Sequence, residues 1–248
     1  MNIGKFIKEN LFPLSYTCDG CGIETFDGNL CPECLKNMTF NDKFTCPVCG
    51  RKTEKRWEIC IECKAKPPLY DTAVSALIYE GTAVNLIHKF KNGDAYLKDY
   101  FADLIVAKLT DFPQFDYIAF VPMTKKAEFK RGYNQSKLLA ESISKRINVP
   151  VCDVIEKIKD TTAQKSLSGK DRAKNLEGSF KAKSKDALLD KNVLLVDDIL
   201  TTGATADAIC KSLFRAGAMR VFLATIASVE YKPDKKDKKD ENKKNEAR

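Results

Sequence analysis

Histidine and tryptophan are nearly absent from this 248-residue sequence, with one of each. The lone imidazole, His88, sits among apolar neighbours in LIHKF, and acid–base catalysis is not assigned to it. No hydrophobic run approaches the ~20 residues of a membrane span. The segment MNIGKFIKENLFPLSYTCDGC has no long apolar core, so no signal peptide is expected and the cytoplasm is the default compartment. GxxxxGK[ST] and GxGxxG are both missing, which excludes a Walker A loop and a dinucleotide fingerprint. Beyond residue 63 cysteine almost vanishes, leaving only Cys152 and Cys210, read as structural.

What is present falls into three parts. Eight cysteines form four CxxC pairs between residues 18 and 63: CDGC, CPEC, CPVC and CIEC. Four thiolates suit one tetrahedral Zn²⁺, so eight suit two. This stretch has too few large apolar residues to build a core unaided, and metal would supply its folding energy. Disulfides would need an oxidising compartment that nothing else suggests. Redox CxxC chemistry and an iron–sulfur cluster fit the pattern less well. Pairing in order groups Cys18, Cys21, Cys31 and Cys34, then Cys46, Cys49, Cys60 and Cys63. The spacing leaves interleaved pairing open.

Composition changes near KAKPPLYD, which sets a boundary between a zinc-ribbon-like module at 1–66 and an α/β domain at 67–230. The last eighteen residues, 231–248, are a charged tail with one aromatic, expected to be disordered. Net charge is +8, from 42 Lys and Arg against 34 Asp and Glu, which weakly favours phosphate-rich ligands or nucleic acid.

Between 67 and 230, strand patterns at 72–80, 115–123, 149–158, 191–200 and 219–229 alternate with helical patterns at 81–94, 94–112, 135–148 and 205–218. That alternation predicts a mainly parallel sheet flanked by helices. The polar stretch 159–179 is long for a connection and reads as a functional or disordered loop. VLLVDDILTTGAT, 193–205, places two carboxylates at the carboxyl end of a buried strand. Thr201, Thr202, Gly203, Ala204 and Thr205 then lead into a helix, offering amides and hydroxyls to a phosphate. Adjacent carboxylates repel phosphate but suit sugar hydroxyls, with Mg²⁺ offsetting charge. The ligand these groups describe is a ribose 5-phosphate unit, with its diol on Asp197 and Asp198.

These thirteen residues resemble the phosphoribosyl-pyrophosphate (PRPP) motif of type I phosphoribosyltransferases. The whole chain from about residue 15 to 230 resembles the ComF (ComFC) family of competence-associated proteins, which join a zinc module to a phosphoribosyltransferase-like domain. The likeness rests on the CxxC pairs, LIYEGTAVNLIHKFKNGD, VPMTKKAEFKRGYNQSKLLA and TTAQKSLSGKDRAKNLEGSF. It implies a type I phosphoribosyltransferase-like fold and a pyrophosphate loop starting at Val121, with Lys125 and Arg131 as phosphate ligands. Asn134 and Gln135 would orient that loop, and Tyr133 would serve in the core or stack on a base. A hood at 160–178 would bring Thr162, Gln164, Lys165, Arg172 and Asn175 over the ligand, with Lys89 and Lys91 adding charge nearby. Asp197, Asp198 and Arg131 are the candidate catalytic groups, if transfer from PRPP to a base or amine occurs. The resemblance further implies a role in natural transformation, with single-stranded DNA as partner and a competence helicase or DNA-processing protein as another. Phe26, Phe40, Phe44 and Trp57 are candidate stacking residues in the cysteine module, or else cover its knuckles.

Overall fold

The computed structural model describes residues 16–25, 30–159, 176 and 178–230. Strands β1 (Tyr16–Thr17) and β2 (Glu24–Thr25) pair antiparallel beside the first CxxC. Helices α1 (Pro32–Lys36) and α2 (Ile61–Ala65) start just after Cys31 and Cys60, which are their N-caps. The Cys31 sulfur accepts the Cys34 N–H at 3.4 Å, so a thiol takes the capping role usually held by an oxygen.

The chain then runs through β3 (Thr72–Ile78), α3 (Gly81–Lys91), α4 (Leu97–Val106), β4 (Tyr117–Phe120), α5 (Lys125–Arg131) and α6 (Gln135–Ile147). It continues as β5 (Ile155–Lys157), β6 (Phe180–Ala182), β7 (Asn192–Leu200), α7 (Ala204–Arg215) and β8 (Arg220–Ser228). The main sheet has the order β3-β8-β7-β4, and every pairing is parallel. β5 and β6 form a separate antiparallel pair.

Alternation along β7 decides which helices cover which face. Leu194 and Val196 pack into the core built with α3, α4 and α6. Val193 and Leu195 point the other way, into the core built with Ile209, Cys210 and Leu213 of α7. With both faces covered, the strand is apolar at every position from Val193 to Val196. The type I phosphoribosyltransferase-like α/β fold expected from the sequence is the fold observed.

Two local expectations change. The strand expected over 149–158 is divided: Val151 makes one parallel bridge beside Ile118, and β5 belongs to the small sheet. Residues 125–131, read as part of a loop, form α5. Thr124 caps it by accepting the Ala127 N–H at 3.2 Å, and Gly132 ends it in the left-handed region. None of its residues is buried, so it has no apolar stripe to betray it.

The cysteine-rich segment lies along the outer edge of β3. Phe40 bridges Leu77 antiparallel. Ala73 N–H donates to Val48 O at 2.9 Å, Ile78 N–H to Thr39 O at 2.9 Å, and Asn41 N–H to Ala76 O at 3.0 Å. The buried Asn41 side chain adds bonds to Gly50 O and Ser75 O. Cys18, Cys31 and Cys34 enter the core on one side of the sheet; Cys46, Cys49 and Cys63 enter the other.

Candidate functional site

The sheet itself creates the site. β4 pairs with β7 only as far as Phe120–Val196, whereas β8 follows β7 to Leu200. Asp197 and Asp198 therefore lie just past the last β4 pairing, at the carboxyl edge of the sheet. The chain steps outward from β4 through α6 to Val151, and inward from β7 through α7 to β8. The winding thus reverses between β4 and β7, where open α/β sheets place ligands.

The amino-terminal turn of α6 fills the gap left by β4. Gln135 Nε2 donates to Asp198 Oδ2 at 2.8 Å, and Ser136 Oγ donates to Asp197 Oδ1 at 3.2 Å. Lys91, the last residue of α3, forms an ion pair with Asp198 Oδ2 at 3.0 Å. Asn134 caps α6 by accepting the Lys137 N–H, and its amide donates to Val121 O, tying the helix to the end of β4. Arg131 Nη1 donates to Gln135 Oε1 at 2.6 Å. Arg131, Gln135 and Asp198 thus form a continuous chain from the exposed end of α5 to the buried carboxylate.

Burial, then the charge of Asp198, push the Asp197 carboxyl up to about 7; the Asp198 N–H, Lys91 and Ser136 pull the other way. Two crowded carboxylates with one raised so far fit a divalent cation, which would favour both charges at once.

Past Leu200, Thr201 and Thr202 are exposed, and Gly203 holds φ +79 as the cap of α7. A small cleft is lined by Asp197, Thr201, Gly203, Thr205 and Thr225. Ala204 and Thr205 are already in the first turn of α7. On α5, Lys125, Lys126, Lys130 and Arg131 are exposed, as is Phe129 at 91%. Phe129 was not singled out in the sequence; a lone aromatic inside KKAEFKR was its only signal. Lys165 and Arg172, with Thr162, Gln164 and Asn175, lie outside the described residues, as do Phe26 and the 231–248 tail.

Tyr133 is structural: its hydroxyl donates to Phe90 O and accepts the Gly93 N–H, and its ring packs on Phe90. His88 is exposed, with Tyr79 as its partner at 3.3 Å. Trp57 is 73% exposed, with Arg56 over its ring, while Phe40 and Phe44 are partly exposed.

The cysteines converge in sequential order. Cys18, Cys21, Cys31 and Cys34 bring their sulfurs within 4.8 Å of one another, and so do Cys46, Cys49, Cys60 and Cys63. A tetrahedron with ~2.3 Å zinc–sulfur bonds has edges of ~3.8 Å. The Cys21–Cys31 and Cys49–Cys60 sulfur separations are 3.8 and 3.6 Å, so both clusters fit the ion. The Cys49 thiol donates to Cys46 and, against the opposing effect of burial, holds it at about 4, while Cys49 itself is driven far up. Bound zinc would supply structural cross-links here.

A phosphoribosyl transferase domain model matches residues 134–246, and a double zinc ribbon domain model matches residues 7–64. A phosphoribosyltransferase-type α/β fold carrying a double zinc ribbon is therefore the class to which this protein belongs. Competence protein F of Haemophilus influenzae is 28% identical over 218 residues, covering 84% of this chain and 94% of that protein. Competence protein ComFC of Streptococcus pneumoniae is 28% identical over 200 residues, 79% and 86% of the two chains. The Escherichia coli DNA utilization protein YhgH is 28% identical over 200 residues, 77% and 87%. Over most of its length the chain is thus similar to competence proteins of the ComF type. Among solved structures, a purine phosphoribosyltransferase from Pyrococcus horikoshii aligns with 56% of this chain and 80% of its own, at 19% identity and a TM-score of 0.35. Among the described residues no helix is long and apolar enough to cross a membrane.

Proposed function

We propose that this protein binds PRPP with Mg²⁺ at the carboxyl edge of its sheet and handles incoming single-stranded DNA in the cytoplasm during natural competence. The observation that carries the ligand is the Asp197–Asp198 pair set beside a Gly203-capped helix, where the sheet winding reverses. Asp197 and Asp198 hold the ribose diol, and the cation offsets their charge. Residues Thr201 to Thr205 hold the 5-phosphate through amides and hydroxyls. Lys125 and Arg131 neutralise pyrophosphate, with Lys165 and Arg172 as its further candidate ligands. Were transfer to occur, the two carboxylates would favour positive charge at C1 of the ribose while the lysines and arginines neutralise the departing pyrophosphate, without a covalent link to protein.

The competence role is supported by the names of the two competence-protein relatives. The DNA role is supported by an exposed aromatic on each part of the molecule: Trp57 in the ribbon and Phe129 on the basic helix α5. Aromatics beside cations give single strands both stacking and phosphate contacts. A helicase or other DNA-processing protein is the expected protein partner.

Titration calorimetry with PRPP and Mg²⁺ tests the ligand: the Asp197→Ala, Asp198→Ala double variant should bind at least tenfold more weakly, and an unchanged affinity would remove the sugar-binding role. Fluorescence anisotropy with a single-stranded oligonucleotide across a salt series tests the DNA role. Phe129→Ala with Lys125→Ala should bind more weakly, and no binding by wild type at moderate salt would end that reading. Pyrophosphate release with a panel of bases and amines separates a working transferase from a protein that only senses PRPP.

A further inference from the structure

Arg51 is a charged residue at 4% exposure, in the second cysteine knuckle. One guanidinium nitrogen, Nη1, donates to the Glu62 carboxylate, and Nη2 donates to the backbone carbonyl of Thr201. Its own carbonyl accepts the Cys46 N–H at 2.8 Å, and Glu62 lies between Cys60 and Cys63 on α2. Both ends of the residue are thus held by the Cys46–Cys63 cluster, while its side chain reaches 150 residues along the chain to the loop after β7. The packing is continuous: Cys46, Cys49, Cys63, Tyr70, Leu200 and Ala206 share one core.

We propose that Arg51 is a positioning residue for the phosphate loop, setting the direction of the Thr201–Thr202 peptide. The C=O and N–H of a trans peptide point in opposite directions. With the Thr201 carbonyl fixed towards Arg51 and the ribbon, the Thr202 N–H of the same peptide faces away from the ribbon, available to an anion. Without the guanidinium, that peptide is free to turn and present a carbonyl oxygen, which repels phosphate. The second zinc knuckle is thereby a buttress of the 5-phosphate site, and its metal load and the loop geometry are linked.

The ligand part rests on the PRPP-site reading above; the positioning part does not, and two measurements keep them apart. The first is hydrogen exchange of residues 201–205 in the full, zinc-loaded chain. Arg51→Met should speed exchange there by about tenfold, the loss of one charge-assisted bond to the carbonyl, with β8 unchanged and zinc still at two per chain. Unchanged exchange at 201–205 overturns the positioning role whatever the ligand. The second is calorimetry with two separate probes, ribose 5-phosphate and pyrophosphate. Arg51→Met should weaken ribose 5-phosphate about tenfold and leave pyrophosphate as it was. An equal fall for both marks general damage and overturns the proposal. Wild type that binds neither probe refutes the PRPP-site reading instead, and the exchange result then stands alone. Should Arg51→Met fail to fold, Glu62→Gln loosens the same guanidinium and must show the same pattern more weakly.

Discussion

Gln135 joins the two halves of the candidate site, and its removal has a signature that few other substitutions share. Its side chain is buried, donating to Asp198 at 2.8 Å and accepting from Arg131 at 2.6 Å. Leucine fills similar space and makes neither bond. A hydrogen bond to a charged group contributes ~1.5–3 kcal/mol, and the contact to exposed Arg131 at most ~1 kcal/mol. Burying the added methyl groups of leucine returns ~1 kcal/mol, which leaves a net loss of ~0.5–3 kcal/mol in urea unfolding. Asp198 then keeps Lys91 but can swing, and ribose 5-phosphate affinity should fall about tenfold, or ~1.4 kcal/mol. Gln135→Glu makes the test sharper. It sets a carboxylate against Asp198 and the raised Asp197, so its defect should be larger than that of leucine at pH 8 and shrink as pH falls. The reasoning is refuted if Gln135→Leu stays within about 0.5 kcal/mol of wild type with unchanged affinity, or if Gln135→Glu shows no pH dependence beyond that of leucine.

Elemental analysis should find about two zinc ions per chain, one for each four-cysteine cluster; a value near one would leave one cluster unoccupied. Asp197 in the folded protein titrates near 7, above its ordinary range, so its contribution to stability is complete below about pH 4 and lost as pH rises through 7. Urea unfolding of wild type and Asp197→Asn at pH 5 and pH 8 should show wild type losing stability relative to the variant, and parallel curves would contradict the raised carboxyl. Gly50 holds φ +67, and a methyl there would stand 2.3 Å from Ala73 O on β3. Gly50→Ala should cost at least the ~1–2 kcal/mol of a left-handed residue, plus the displaced edge contact, and a melting temperature equal to wild type would show that the ribbon can shift freely.

The sheet was legible because its signals are local. VLLV is apolar throughout and VFLATIAS is apolar except at Thr225 and Ser228, as suits strands covered on both faces. The cysteine quartets were legible as ligand chemistry, although only the fold could choose sequential over interleaved pairing. Asp197 and Asp198 were visible from their place after a buried strand. Their partners were harder to read. Gln135 could be given an orienting role, but its contact with Asp198 depends on β4 ending one residue short of the carboxylates. Helix α5 escaped because the sequence signal for a helix is a buried stripe, and α5 buries nothing. Arg51 escaped for the opposite reason. A buried arginine looks like any surface arginine in sequence, and the carbonyl it serves is 150 residues away.

The position of the ribbon follows from a problem that every open parallel sheet has. β8 satisfies one side of β3, and the other side would present bare N–H and C=O groups to solvent or to another chain. Here Val48, Thr39 and Asn41 supply those bonds, and Phe40 pairs across to Leu77. A segment with so few large apolar residues could not hold a straight run against that edge by packing alone. Two cysteine clusters fix its ends, one entering each core of the α/β domain. Val48 of the second knuckle meets Ala73 near the amino end of β3, and from the residues that follow it Arg51 extends its side chain to the loop leaving β7. Edge protection and support of the phosphate loop are thus one arrangement: the cross-links that cover β3 also carry Arg51 to Thr201.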